Sequence, residues 1–360
     1  LGVVKTGSDI GVVITASHNP PSYNGYKLKS KFGGPMIPKH IAEVEDQLPE
    51  ACTLEKLPTL HELEQQGVLE YVDLETMYLD HVEENFDLEA IRNADIKLAY
   101  DAMYGAGQNA VMKLFPQAHF LHCEFNPSFH GQAPEPIHRN LGELSELIKK
   151  DPAVNLGLAN DGDADRIAFL DERGRFVNSA VIGAIIARHF LAKYPGEKHV
   201  FTNLTSRAYE ETIREHGGTP VRARVGHSFI KETMRKEDAR FGCEHSGHYY
   251  FKDYFYTDSV TLTLLLVLEA FGPARAEGQR FSQFVAPLQR YYQLEDTVIP
   301  VADKKQCLRE VEAYLKNLAP EKLTKFDGFF VDFGDVWGAV KPSVTEHALK
   351  VMFEAPKRAD

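Results

Sequence analysis

Val154-Asn-Leu-Gly-Leu-Ala-Asn-Asp-Gly-Asp-Ala-Asp-Arg-Ile-Ala-Phe-Leu-Asp171 places an acidic loop between two apolar runs. The runs 154–159 and 167–171 have the length and apolar character of buried strands. Between them, Asp161, Asp163 and Asp165 stand at alternate positions of a tight turn. Three carboxylates so close repel one another, and a bound cation offsets that repulsion. Hard oxygen ligands point to Mg²⁺ or Ca²⁺, and three carboxylates with room for a phosphate oxygen suit Mg²⁺. An EF-hand also begins D-x-D-x-D, but its required Gly would fall on Arg166 and its flanks should be helices. A phosphatase with an aspartyl nucleophile would leave Asp165 and Arg166 without a role. A solvated acidic turn is the plain alternative, since charge clusters usually face water.

Outward from this loop, strand-like and helix-like runs alternate from residue 10 to about 254, the rhythm of βαβ units with parallel strands. Strands are expected at 10–15, 96–101, 119–123, 199–203 and 240–243. Helices are expected at 108–115, 141–150, 180–194, 207–216 and 228–235, where apolar positions recur three or four apart. The apolar run 260–271 contains Glu269 and is far shorter than the ~20 residues a spanning helix needs, so it reads as a buried helix. Beyond 287–292 the pattern changes to a helix at 304–318 and short strands, an α+β tail. The expected organisation is four units, 1–87, 88–175, 176–288 and 289–360.

A chain of 360 residues is too long for one ordinary core, which agrees with several units. The formal net charge of −12 argues against a nucleic-acid binder, because that affinity rests on clustered Lys and Arg. An anionic small substrate needs only a local basic pocket. Cys52, Cys123, Cys243 and Cys307 show no C-x-x-C spacing, which favours free thiols and a reducing, cytoplasmic compartment. The N-terminus has no secretory-signal pattern.

Three further segments carry chemistry. Thr15-Ala16-Ser17-His18-Asn19-Pro20-Pro21 follows a strand-like run, so Ser17 is displayed where ligands of α/β sheets gather. A serine there needs a base or a phosphoryl group to become reactive, and the segment alone reads equally as an ordinary turn. Gly242-Cys243-Glu244-His245-Ser246-Gly247-His248 presents Glu, Ser and His at spacings of two, a geometry that can grip vicinal hydroxyls. Upstream, His227 adds an imidazole at a strand end. Trp337-Gly338-Ala339-Val340-Lys341-Pro342-Ser343-Val344-Thr345-Glu346 offers a Lys, hydroxyls and backbone N–H groups to a phosphate, although alone it reads as a surface turn.

Taken in order, T-A-S-H-N-P, D-G-D-A-D-R, E-H-S-G-H and K-P-S-V-T-E resemble the phosphoserine, metal, sugar and phosphate loops of the α-D-phosphohexomutase superfamily, in its bacterial phosphomannomutase/phosphoglucomutase branch. The likeness extends over nearly the whole chain, including R-V-G-H-S-F-I-K at 224–231 and Asn24-Gly25-Tyr26-Lys27. It implies three related α/β domains and a C-terminal α+β domain around one cleft. It also implies a mutase that moves phosphate between C1 and C6 of mannose or glucose through a hexose 1,6-bisphosphate. By this resemblance Ser17 is the phosphoserine, with His18 beside it among the catalytic positions, and Mg²⁺ is held by Asp161, Asp163 and Asp165 together with the Ser17 phosphate. Lys27 and Arg166 flank the transferring group, and Glu244 and Ser246 bind sugar hydroxyls. His227 and His248 contact substrate, one of them aiding proton transfer, while Lys341, Ser343 and Thr345 anchor the other phosphate. Only sixteen residues precede Ser17, so the first unit is expected to be truncated and to expose sheet edges and apolar surface. Cys243, His245 and Lys341 stand where relatives often carry Gly, Met and Arg. The V-G-H stretch and E-x-S-G-H loop speak against a phosphoglucosamine mutase. A phosphosugar-binding protein without turnover and a metal-dependent phosphatase are the competing readings.

Overall fold

The computed structural model describes residues 1–53, 56–294, 297–343 and 347–357. The first unit contributes a two-stranded antiparallel sheet, Ile10–Ile14 against Tyr26–Ser30, in the register Ile14 opposite Tyr26 and Ile10 opposite Ser30. Val12 and Ile14 remain 45% and 59% exposed. The helix Leu74–Asn85 follows, its first turn capped by the Asp73 carboxylate, which accepts from the Thr76 N–H at 3.0 Å.

Two five-stranded sheets come next. In the first, Leu98–Asp101 lies between His119–Leu121 and Leu156–Asn160, parallel to both, and Ile167–Asp171 and Phe176–Val177 continue the sheet antiparallel. In the second, Lys198–Thr202 runs parallel to Phe241–Cys243 and to Thr219–Ala223, and Tyr249–Phe251 and Thr257–Asp258 add antiparallel strands. The expected parallel strands form the centre of each sheet, and antiparallel strands are added at one side. Where the connection between strands is only a loop, as at 160–166 and 243–249, there is no room for a crossover helix, so the chain returns as a hairpin. The strand Thr219–Ala223 was not expected, because Pro220 and Arg222 break its apolar run. It tolerates both at a sheet edge, with the Arg222 guanidinium over the rings of Phe201 and Phe330 at 4.8 Å.

Helices Ser179–Lys193 and Val260–Ala276 are apolar nearly all round and are buried along most of their length, as such a composition requires. They belong to one apolar cluster that takes in Leu158 and Phe169 of one sheet and Phe201 and Phe241 of the other. That shared core fixes the two sheets relative to each other. The tail is a six-stranded antiparallel sheet centred on Trp337–Pro342 and Ala348–Pro356, with the helix Lys304–Asn317. It is tied to the second five-stranded unit through Arg207, whose guanidinium stacks on Trp337 at 3.7 Å and pairs with Asp332. The architecture is three α/β units followed by a C-terminal α+β unit. Among the described residues, no helix is long and apolar enough to cross a membrane.

Candidate active site

The acidic loop is set by its flanking strands, all of whose residues are buried. Asp161 is fully buried, and its Oδ1 accepts the backbone N–H groups of Asp165 at 3.0 Å and Arg166 at 3.1 Å, which curls the loop around it. Asp161 Oδ2 and Asp163 Oδ1 are buried without a hydrogen-bond partner. Burial, with Asp165 and Asp163 adding to it, pushes the Asp161 carboxyl well above the usual carboxylate range. One oxygen from each of the three aspartates lies within 4.8 Å of the others. Orphaned, buried, hard oxygen atoms at that spacing fit a small divalent cation.

The serine loop rests on this acidic loop. Ser17 adopts φ +57°, and its N–H donates to Thr15 Oγ1 at 2.8 Å, while that hydroxyl donates to Asp163 Oδ2 at 3.0 Å. A Cβ on Gly162 would come within 2.5 Å of the Ser17 carbonyl oxygen, so the close approach of the two loops requires glycine there. His18 Nδ1 lies 3.3 Å from Ser17 Oγ. Burial and Arg166 lower the His18 pKa against the pull of nearby carboxylates. Lys27, from the strand paired with the serine strand, reaches Asp163 at 3.1 Å and Asp165 at 3.8 Å. Burial opposes its charge, but these two carboxylates prevail and raise its pKa. Arg166 Nε sits 3.7 Å from Asp161 Oδ2.

The loop between Phe241–Cys243 and Tyr249–Phe251 approaches from the other side. The Ile167 N–H donates to the Gly247 carbonyl at 3.1 Å, joining this loop to the strand that leaves the acidic loop. His248 Nε2 lies 3.1 Å from Asp165 Oδ1, and its Nδ1 is 2.8 Å from Ser246 Oγ and 3.4 Å from Glu244 Oε2. Burial works against the imidazolium, but the two carboxylates outweigh it and raise the His248 pKa. Burial likewise opposes the Glu244 charge, yet His248, the Tyr250 hydroxyl and the Gly226 N–H hold its pKa below normal. Ser246 is exposed, with its hydroxyl on His248. His227 opens the helix His227–Glu237, and burial with nearby Lys231 pushes its pKa down to about 4. Lys231 itself is buried against Asp258 at 2.5 Å.

Lys341 is buried and pairs with Asp327 Oδ2 at 3.1 Å. The same oxygen accepts the Val225 N–H at 2.9 Å, and the next N–H, of Gly226, donates to Glu244. A continuous chain of polar contacts thus runs from Lys341 through Asp327, residues 225–226, Glu244 and His248 to Asp165. Ser343 is buried, and its carbonyl accepts from Lys304 at 2.8 Å. Thr345 lies outside the described residues. Sequence reasoning missed Asp327, Arg224, which stands 4.0 Å from Asp327 Oδ1, and Glu135, 3.7 Å from His18 and 3.5 Å from Arg166. Arg224 opens the R-V-G-H-S-F-I-K stretch but was given no role there, Asp327 lies in no motif, and for Glu135 the only local hint is a carboxylate enclosed by two prolines.

The models of phosphoglucomutase/phosphomannomutase α/β/α domains I, II and III match residues 2–53, 76–174 and 178–291 in that order. The phosphomannomutase of Methanocaldococcus jannaschii is 30% identical over 354 residues, 96% of this chain and 75% of that protein. The chain belongs to the phosphohexomutase family. A probable phosphoglucosamine mutase of Methanopyrus kandleri is also 30% identical, over 366 residues, 98% of this chain and 76% of that protein. Similarity of the whole sequence therefore does not separate the sugars used by phosphohexomutases. A crystal structure of a phosphoglucomutase/phosphomannomutase family protein from Burkholderia thailandensis shares the fold, with a TM-score of 0.78 and 24% identity. It is matched by 97% of this chain and covered over 73% of its own.

Proposed function

We propose that this phosphohexomutase interconverts hexose 1-phosphates and 6-phosphates of mannose or glucose through a phosphorylated Ser17. The observation that carries the reading is the seating of the Ser17 loop on the three-aspartate loop, with Gly162 against the Ser17 carbonyl and Thr15 bonded to Asp163. Asp161, Asp163 and Asp165 would hold Mg²⁺, which supplies charge neutralisation at the transferring phosphoryl group. Lys27, held on Asp163 and Asp165, and Arg166, near Asp161, would supply positive charge to the transferring group, where a loose phosphoryl-transfer transition state concentrates negative charge on its equatorial oxygens. His18, whose Nδ1 lies 3.3 Å from Ser17 Oγ, would orient that oxygen.

A sugar hydroxyl attacks the phosphorus of phosphoserine, the Ser17 Oγ–P bond breaks, and a hexose 1,6-bisphosphate forms. Reorientation of that bisphosphate brings its other phosphate to Ser17, whose oxygen attacks it; the sugar O–P bond breaks, phosphoserine is restored and the isomeric hexose monophosphate leaves. Glu244 and Ser246 would grip the sugar hydroxyls, and His227 and His248 would contact substrate, with burial keeping His227 neutral near pH 7. Lys341, Ser343 and Thr345 would anchor the phosphate not being transferred. The sugar preference rests on the M. jannaschii relative's name and on the Glu244 loop.

Incubation with glucose 1-phosphate or mannose 1-phosphate, Mg²⁺ and a hexose 1,6-bisphosphate primer should yield sugar 6-phosphate without free phosphate. Ser17→Ala should reduce turnover by at least about 10³-fold while leaving the thermal transition unchanged. Normal rates in that variant would refute the nucleophile assignment, and release of inorganic phosphate would identify a phosphatase.

A further inference from the structure

Glu135 lies outside all four sequence motifs, yet it faces the reacting serine through two intermediaries. It stands in Ala133-Pro134-Glu135-Pro136, where prolines on both sides narrow the backbone choices. The segment is pinned to the acidic loop, for the Gly162 N–H donates to the Pro134 carbonyl at 3.1 Å. It is pinned again from behind, because the Asn140 side-chain amide donates to the Glu135 carbonyl at 2.8 Å. The carboxylate is therefore delivered to a fixed place. One oxygen, Oε1, lies 3.5 Å from Arg166 Nη1 and 3.7 Å from His18 Nε2.

The alternative partner of Arg166 explains why that place matters. Its Nε is already 3.7 Å from Asp161 Oδ2, a buried oxygen with no hydrogen-bond partner and part of the three-aspartate group. Without the pull of Glu135, the guanidinium would be drawn further onto Asp161, occupying an oxygen that a cation needs. Glu135 supplies the competing carboxylate, at Nη1 rather than Nε.

We propose that Glu135 is a positioning residue that holds Arg166 off the three-aspartate group and keeps its charge beside His18 and the serine loop. This rests on the mutase reading above. Glu135 touches no reacting atom and acts through Arg166, so its removal lowers the rate of phosphoryl transfer while leaving sugar-phosphate binding alone. It also weakens divalent-cation binding, because Arg166 then competes for Asp161.

The test compares wild type, Glu135→Gln, Glu135→Asp, Arg166→Met and the Glu135→Gln/Arg166→Met double variant, in the full chain. With glucose 1-phosphate and a glucose 1,6-bisphosphate primer, Glu135→Gln should lose about 10-fold in kcat with KM within about twofold of wild type. Glu135→Asp should recover most of that loss. In the Arg166→Met background, Glu135→Gln should change kcat by less than about twofold, the non-additivity expected of residues acting as a unit. Calorimetric titration with Mg²⁺ alone should show the Kd of Glu135→Gln raised about three- to fivefold, and that of the double variant no weaker than Arg166→Met. An unchanged kcat, a change confined to KM, or fully multiplicative losses would overturn the proposal. So would loss of the cooperative thermal transition in Glu135→Gln, which would make Glu135 structural. Wild type that converts neither glucose 1-phosphate nor mannose 1-phosphate would refute the mutase reading and the role of Glu135 with it, whereas wild-type turnover matched by Glu135→Gln would refute the role of Glu135 alone.

Discussion

The serine strand Ile10–Ile14 and the aspartate-bearing strand Leu156–Asn160 deliver loops to the same site from opposite circumstances. Every residue of Leu156–Asn160 is buried, whereas four of the five in Ile10–Ile14 are exposed. The aspartate loop is held by its own core. The serine loop takes its geometry from its neighbour, through Thr15 and Lys27 on Asp163 and the glycine contact at position 162. Precision at the site therefore comes from the contact between units rather than from the stability of each.

The largest effect should come from the buried side of that comparison. Leu158→Ala removes a fully buried side chain from the shared core and should cost about 3 to 4 kcal/mol in denaturant unfolding; a cost below 1 kcal/mol would mean that this core is not what fixes the sheet. His199, in the similarly buried strand Lys198–Thr202, sharpens the point through pH. Burial lowers its pKa from the usual 6.5 to about 4, so the folded state keeps it neutral while the unfolded chain binds the proton first. Its contribution is complete above about pH 6.5 and is lost as pH falls toward about 4, by at most about 3 kcal/mol. His199→Leu should flatten the stability profile across that window, and an unchanged slope would contradict the burial argument.

Next is the contact itself. Gly162→Ala must move the Ser17 carbonyl, and a displacement of that kind should lower kcat about 10²-fold; a wild-type rate would break the claim that the serine loop is seated by its neighbour. The smallest effect is expected on the exposed strand, where Val12→Thr or Ile14→Thr should shift stability by no more than about 0.5 kcal/mol. A larger loss would show that this face is covered.

The same contrast explains what could be read from the sequence. The three aspartates were legible because their repulsion is local, written into seven consecutive residues between two apolar runs. The helices Ser179–Lys193 and Val260–Ala276 were legible because burial on all sides leaves an almost uninterrupted apolar composition. The dependence of Ser17 on Gly162 was not, since the contact between Thr15 and Asp163 spans 148 positions and leaves no periodic mark. Nor were the antiparallel additions to the two central sheets, because strand direction is set by the length of the connection and not by apolar pattern alone. Glu135 and Asp327 act through the partners that folding brings to them, so their residue type alone carried no signal.

The proposed mutase chemistry requires phosphate to pass between Ser17 and a sugar. Protein labelled on Ser17 with radioactive phosphate by glucose 1,6-bisphosphate should, on addition of glucose 1-phosphate and Mg²⁺ in a single turnover, pass its label to hexose bisphosphate. Label that appears as inorganic phosphate, or that stays on the protein, would contradict it.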